Sequence, residues 1–143
     1  MEYREIKQIL QSCADLKGFD EGVIALLFWR GSEKTIKADT VIYSEETGLD
    51  DTFCLLLAGD LVVEKARRVV GQIGERQIFG EMAYFTPLHQ RTATVRVHSP
   101  QATVLQIQLT RSELASPTFS SLKKQLGLQA WDRFVSSSQS RPG

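Results

Sequence analysis

The stretch "FGEMAYFTPLHQRTATV", residues 79–95, joins two segments of strand-like composition and carries a carboxylate and a guanidinium at a defined spacing. Glu81 follows a glycine, and Arg91 lies ten positions later, directly before Thr92 and Ala93. A connection between two strands needs neither charged group. The stretch is therefore either an ordinary solvated turn or a pocket that binds one small anion.

The first part of this stretch has the features of an anion site. We expect a short helix through "GEMAYF" that ends before Pro87, because the residue before a proline avoids helical backbone. Its first turn, at Gly80 and Glu81, would present free N–H groups and the positive end of the helix dipole. Gly80 has no side chain, so a ligand could approach the backbone closely.

The two charged residues suit different parts of one ligand. Arg91 carries a planar fork that can donate to two phosphate oxygens. Glu81 would repel a phosphate but can accept hydrogen bonds from neutral hydroxyls, such as those of a ribose. The Thr92 hydroxyl can donate or accept a hydrogen bond, and the small side chain of Ala93 leaves room for a ligand beside the strand. One phosphate beside one sugar hydroxyl describes a nucleotide with a single phosphodiester charge.

The chain around this stretch is rich in β-forming residues. From 34 to 109, short segments of Val, Ile, Thr and Leu are separated by Gly, Asp and Ser-Pro turns. In "TVRVH" and "VLQIQL", apolar and polar residues alternate, as half-buried strands require. We predict antiparallel strands that form a sandwich or small barrel.

Helices are predicted on both sides of the strands, over 2–29 and 111–135. In the first helix an apolar stripe recurs at helical spacing, and Gly18 is expected to end it, with Asp20 capping a second helix. The stripe consists of Ile6, Ile9, Leu10 and Cys13. Thr110 and Glu113 form a capping box, and "PTFSSLKKQLGLQAWDRFVSS" continues as a helix with Gly127 as a candidate hinge. Residues 136–143 are predicted to be a disordered tail.

Composition narrows the classes of function. The chain has 143 residues, 42% of them hydrophobic, which suits one globular domain. Its net charge is zero, so no overall positive potential would attract nucleic acid or an anionic membrane. No apolar run approaches the ~20 residues of a membrane span. Two cysteines do not make a disulfide framework. We expect a cytoplasmic domain without a signal peptide or membrane span.

The stretch "FGEMA" followed ten residues on by "RTATV" resembles the phosphate-binding cassette of the cyclic nucleotide-binding domain family. "FCLLLAGDLVVEK" resembles that family's central hairpin, with Gly59 at the turn, and the resemblance extends over residues 5–135. It implies an eight-stranded antiparallel β-roll of jelly-roll type with N-terminal and C-terminal helices. It also implies a cAMP- or cGMP-binding regulatory module, residues 1–135, that signals to an effector protein through its C-terminal helix.

The resemblance assigns roles to the cassette residues. The position of Glu81 binds the ribose 2′-hydroxyl, Arg91 pairs with the cyclic phosphate, and the backbone amides of Ala83 and Thr92 add phosphate contacts. Trp131 is the candidate lid over the base, with Phe134 in reserve; the alternative for Trp131 is a place in the core. The full candidate site is Phe79, Gly80, Glu81, Met82, Ala83, Arg91, Thr92, Ala93 and Trp131.

The sequence departs from the family pattern at three turns. Glycine is usual where this chain has Asp39, Glu46 and Arg76. Because Glu and Arg adopt left-handed backbone reluctantly, we expect two turns of the roll to be reshaped. These departures motivate an alternative function, a degenerate roll that binds no nucleotide and acts as a protein-interaction module.

Other classes of function lack the residues they need. His89 and His98 do not have the paired spacing of a jelly-roll metal site, and we expect no metal. No nucleophile–base arrangement is visible, so we expect no enzyme. Residues 110–143 are accounted for by the closing helices and the tail, which leaves no expected DNA-binding unit in this chain.

Overall fold

A computed structural model describes residues 2–12 and 21–139. Helix α1 spans Tyr3–Ser12 and α2 spans Glu21–Arg30, where strand β1 begins at once with Gly31. The predictions for Cys13, Gly18 and Asp20 lie outside the described residues. None of the helices in the described part of the chain combines the length and apolar character that crossing a bilayer requires.

Eight strands in the described residues form two four-stranded antiparallel sheets, which confirms the predicted β-roll. One sheet has the order β1–β8–β3–β6 and the other has the order β2–β7–β4–β5. The strands are β1 Gly31–Lys37, β2 Val41–Tyr43, β3 Thr52–Ala58, β4 Leu61–Lys65, β5 Arg68–Ile73, β6 Ile78–Phe79, β7 Thr94–Val97 and β8 Gln101–Gln108.

Strand β3 supplies both hydrophobic cores of the domain. Cys54 and Leu56 face the second sheet, whereas Phe53, Leu55 and Leu57 face the helices that cover the first sheet. Successive side chains of a strand point to opposite faces, so a strand buried on both faces is hydrophobic throughout. This is why the segment "FCLLLA" lacks the alternation seen in the other strands.

The predicted central hairpin is wrong in one respect. Strands β3 and β4 lie in different sheets, so the turn between them carries the chain across the roll instead of closing a hydrogen-bonded pair. Gly59 is at that turn with φ of 103°, and a Cβ there would lie 2.8 Å from the Gln101 carbonyl oxygen. Glycine is needed at this position for its conformation and for the close approach of β8.

None of the three turns that lack glycine is reshaped, so the prediction that two of them would be is wrong. Asp39, Glu46 and Arg76 have φ values of 64°, 68° and 70°, so each keeps the left-handed backbone that favours glycine. Left-handed backbone costs a residue with a side chain roughly 1–2 kcal/mol. The roll therefore retains its turn geometry at the cost of local backbone strain.

The C-terminal helices begin at the predicted capping box. The Thr110 hydroxyl accepts from the Glu113 N–H at 3.1 Å, and the Thr110 N–H donates to the Glu113 carboxylate at 3.2 Å. Helix α3 spans Arg111–Leu114 and a 3₁₀ turn follows at Pro117–Phe119. Helix α4 then runs without a break from Ser120 to Gln139, which includes four residues of the predicted tail.

Candidate functional site

Gly80 connects β6 to a 3₁₀ helix over Glu81–Tyr84, which we call the cassette helix. The residue has φ of 87°, and a Cβ at this position would lie 2.6 Å from Tyr43 Cε2. The Phe85 N–H donates to the Met82 carbonyl at 2.9 Å and closes the helix ahead of Pro87. The short helix predicted for "GEMAYF" is therefore present, in 3₁₀ form.

Arg91 enters the roll beside Gly80 and is buried, with its side chain 3% exposed. Its Nη1 donates to the Gly80 carbonyl oxygen at 2.6 Å. Its Nη2 donates to the Thr52 carbonyl oxygen at 2.9 Å and to Asp50 Oδ1 at 2.5 Å. The cation is thus neutralised by a carboxylate and held against the start of the cassette helix.

The guanidinium also stacks on an aromatic ring. Arg91 Cζ lies 3.7 Å from the centroid of the Tyr43 ring, and Tyr43 as a whole is 4% exposed. The Tyr43 hydroxyl lies 2.8 Å from Thr52 Oγ1 and 3.3 Å from Cys54 Sγ. Thr52 Oγ1 in turn donates to Asp50 Oδ1 at 2.6 Å.

Arg91, Tyr43, Thr52 and Asp50 form one cluster of side chains. Asp50 is its acidic member and lies near the surface, with its side chain 57% exposed. Partial burial acts to raise the pKa of Asp50. The hydrogen bond from Thr52 and the charge and hydrogen bond of Arg91 outweigh burial and hold the pKa below its ordinary value. The carboxylate is therefore ionised at neutral pH.

Backbone hydrogen bonds fasten the loop that carries Asp50 to the cassette. The Arg91 N–H donates to the Thr47 carbonyl at 2.8 Å, and the Glu46 N–H donates to the Arg91 carbonyl at 2.9 Å. The Leu49 N–H donates to the His89 carbonyl at 2.7 Å. The backbone of Arg91 is thus tied directly to the connection between β2 and β3.

The remaining predicted residues lie around this centre with different exposure. Glu81 is 0% exposed and Ala83 is buried, both on the cassette helix. Met82, Thr92 and Ala93 are half-buried, and the Thr92 hydroxyl is 4.0 Å from Met82 Sδ. Phe79 lies in the inner core, where its ring packs edge-on against Tyr43 at 5.9 Å.

Trp131 lies on α4 and is 63% exposed. The alternative that placed it in the core is therefore wrong, and its role as a lid stays a prediction. The side chain of Phe134 lies outside the described residues.

An open groove of about 570 Å³ is lined by Phe85, which follows the cassette helix, and by residues of α4 and the turn before it. Phe85 lines one side, while Lys123, Lys124 and Leu128 line the other. Gly127 faces Phe85, because a Cβ there would lie 3.6 Å from Phe85 Cε1. Helix α4 therefore rests against the residue that follows the cassette helix.

Sequence reasoning did not find Tyr43, Asp50 or Thr52 as parts of the site. Asp50 is one of two adjacent aspartates before a strand, and Tyr43 is one of many strand aromatics, so neither carries a local signal. His98 is exposed. Among the described residues no group of three or more His, Cys, Asp or Glu side chains could hold a metal ion.

Solved structures with the same fold include proteins of several ligand classes. The regulatory domain of Toxoplasma gondii PKA, solved with cAMP, aligns at a TM-score of 0.71 with 23% identity, covering 85% of this chain and 46% of that one. A PKAR CBD2 domain bound to Sp-2Cl-cAMPS aligns at 0.76 with 18% identity, covering 98% and 93%. The regulatory subunit of a cAMP-independent protein kinase A from Trypanosoma cruzi, bound to guanosine, aligns at 0.69 with 17% identity, covering 85% and 42%.

This chain spans less than half the length of the Toxoplasma and Trypanosoma chains. No curated protein matches its sequence. The model of the cyclic nucleotide-binding domain matches residues 33–113, a range that begins in β1, contains the whole cassette and ends in α3. That match takes in more than half of the sequence and the β-roll agrees with it, so the chain belongs to the cyclic nucleotide-binding domain family.

Proposed function

We propose that this chain is a regulatory module that binds cAMP or cGMP through its cassette and passes the signal to an effector protein through α4. The observation that carries the proposal is the position of Arg91, a buried guanidinium held beside Gly80 and the fully buried Glu81. A planar cation beside a short helix that carries an acceptor for hydroxyls suits a cyclic phosphate joined to a ribose.

The ion pair between Arg91 and Asp50 supplies a route for ligand entry. A phosphodiester carries one negative charge, as Asp50 does, so it can replace the carboxylate at Nη2 without leaving the guanidinium unpaired. Asp50 is more than half exposed and can return to water at small cost. Exchange of one anion for the other thus avoids the penalty of an uncompensated buried charge.

Replacement of Asp50 by a phosphate at Arg91 would be transmitted to α4 through the cassette helix. The Arg91 Nη1 donates to the carbonyl of Gly80, and the cassette helix that starts there ends next to Phe85, which packs on Gly127. A ligand shifts such an equilibrium only by its difference in affinity for the two arrangements. The cassette helix and α4 are the elements we expect to differ between them, with Trp131 as candidate lid over the base.

We favour cAMP as the ligand, because two of the similar structures named above contain cAMP or an analogue. The Thr92 hydroxyl keeps cGMP open, since it could reach a guanine amino group. A cytoplasmic location belongs to the proposal and agrees with the free thiol of Cys54, because cytosolic proteins keep their cysteines reduced.

Thermal unfolding with cAMP, cGMP and 5′-AMP in parallel tests the proposal. Ligand at a hundredfold excess over its Kd should add ~2.7 kcal/mol of stability, a rise in Tm of roughly 5–15 °C. We expect one cyclic nucleotide to raise Tm and 5′-AMP to leave it unchanged. No shift with any of the three at millimolar concentration would contradict the proposal.

A second candidate function is a protein-interaction module that binds no nucleotide. It is favoured by the internal partners of Arg91, which satisfy the guanidinium without a ligand. It predicts that no nucleotide changes either Tm or the exposure of α4 to hydrogen exchange. A ligand-dependent change in either measurement would exclude it.

A further inference from the structure

The ring of Tyr43 lies face-on against the guanidinium of Arg91, with 3.7 Å between the ring centroid and Cζ. A cation over an aromatic face is attracted by the negative charge of that face, and the attraction grows when water is excluded. Both side chains are buried. The stack therefore adds to the hydrogen bonds from Arg91 to Gly80, Thr52 and Asp50 in holding the guanidinium in one plane.

The Tyr43 hydroxyl reaches the same arginine by a second route. Thr52 Oγ1 donates its one hydrogen to Asp50, so the Tyr43 hydroxyl must donate to Thr52. The oxygen of Tyr43 then accepts from the Cys54 thiol. A directed chain of hydrogen bonds thus runs from a buried thiol to Asp50, the carboxylate that pairs with Arg91.

Both groups that donate in this chain keep their hydrogens, and the Tyr43 ring makes a further contact with the site. Burial raises the pKa of the Cys54 thiol to about 12, and burial also raises the pKa of Tyr43, so both groups keep their hydrogens at neutral pH. The Tyr43 ring also fills the space where a side chain at residue 80 would lie. Tyr43 thus lies against both Arg91 and Gly80, whose carbonyl accepts a hydrogen bond from Arg91.

We infer that Tyr43 is a positioning residue of the anion site, which orients Arg91 through its ring and Asp50 through its hydroxyl. The inference rests on the proposed function. A phosphate that replaces Asp50 would then meet a guanidinium already held in one plane, and less ordering would be needed on binding. Removal of the ring should weaken binding more than removal of the hydroxyl.

Competition binding of cAMP tests this inference with the substitutions Tyr43→Phe and Tyr43→Leu. Each is measured in two backgrounds, one that keeps Arg91 and one that carries Arg91→Ala. We expect Tyr43→Leu to weaken binding about 30-fold, the size of a desolvated cation–π contact. Tyr43→Phe should weaken it about threefold, the size of one neutral hydrogen bond. Beside Arg91→Ala, Tyr43→Leu should change affinity by less than about twofold. Leu56→Ala, in the same core but outside this cluster, should lower stability and leave the affinity of folded protein unchanged.

An equal loss on Tyr43→Leu in both Arg91 backgrounds would overturn the inference, because the ring would then act only through packing. If the unmodified protein binds neither cAMP nor cGMP, the proposed function fails instead. The cycle of Tyr43→Leu and Arg91→Ala is then measured in urea unfolding. Non-additive free energies would support the positioning of Arg91 by Tyr43, and additive ones would overturn it.

Discussion

Asp50 and Arg91, 41 positions apart in the sequence, are joined by an ion pair of 2.5 Å in which the guanidinium is buried and the carboxylate reaches solvent. The pair ties the loop before β3 to the cassette and gives the buried cation a partner. It is also the contact that a bound phosphate would replace.

Asp50→Asn should lower the free energy of unfolding. The buried guanidinium would lose the charge of the carboxylate that pairs with its Nη2, and since Asp50 is more than half exposed the loss should be roughly 1–2 kcal/mol. Urea unfolding at pH 7 measures it. Asp51→Asn is a matched control, because Asp51 has φ of 60°, which Asn tolerates, and has no ion pair with Arg91. Equal effects of the two substitutions would contradict the assignment.

The same pair predicts a dependence of stability on pH. The pKa of Asp50 is lower in the folded protein than its ordinary value, so the folded state binds fewer protons there. This contribution is complete above the unfolded pKa of about 3.9 and is lost as pH falls through the folded pKa. Unfolding between pH 7 and pH 3 should therefore show a smaller loss of stability on acidification in Asp50→Asn than in the unmodified protein. An equal loss of stability on acidification in both proteins would argue against a lowered pKa of Asp50 in the folded state.

Glu46→Gly should stabilise the domain. Glu46 is exposed with φ of 68°, a conformation that glycine adopts without strain. Relief of the backbone strain stabilises the folded state, while the greater freedom of glycine in the unfolded chain offsets part of this effect. The free energy of unfolding should therefore rise by about 0.5–1 kcal/mol. Glu46→Ala removes the carboxylate but keeps the Cβ, so it should give no such gain in thermal unfolding. If alanine and glycine stabilise equally, charge and not backbone strain is the cause.

Gly127→Ala should also stabilise the domain, by about 0.5–1 kcal/mol, because Gly127 lies inside the continuous helix α4. The new Cβ would be 3.6 Å from Phe85 Cε1, an ordinary contact. Chemical denaturation measures the gain. A loss of stability would show that the approach of α4 to Phe85 is too close for alanine and that this glycine serves packing.

The sequence predicts the parts of the fold that depend on local patterns. The capping box at Thr110 and Glu113, the turn at Gly59 and the cassette helix after Gly80 each depend on a few neighbouring residues. Sheet membership does not. Gly59 marks a turn, but only the packing of the whole roll decides that β3 and β4 join different sheets.

Long-range contacts also explain the two turns that the sequence predicts wrongly. The Glu46 N–H donates to the Arg91 carbonyl at 2.9 Å, and the Arg76 N–H donates to the Leu56 carbonyl at 2.7 Å. These bonds form with distant segments and favour left-handed backbone against the preference of each residue. The partners of Arg91 were missed for the same reason, since Asp50 and Tyr43 come near it only in the folded chain.

Calorimetric titration of cAMP and cGMP into the unmodified protein and Arg91→Ala tests the central claim most directly. Loss of the guanidinium that pairs with the phosphate should weaken binding by roughly 2–5 kcal/mol, about 30-fold to several thousand-fold. Arg96→Ala is the control: Arg96 lies on β7 outside the cassette and pairs with Glu64 of β4, so its loss should leave affinity unchanged. A cyclic nucleotide that binds the unmodified protein and Arg91→Ala within threefold of each other would contradict the account.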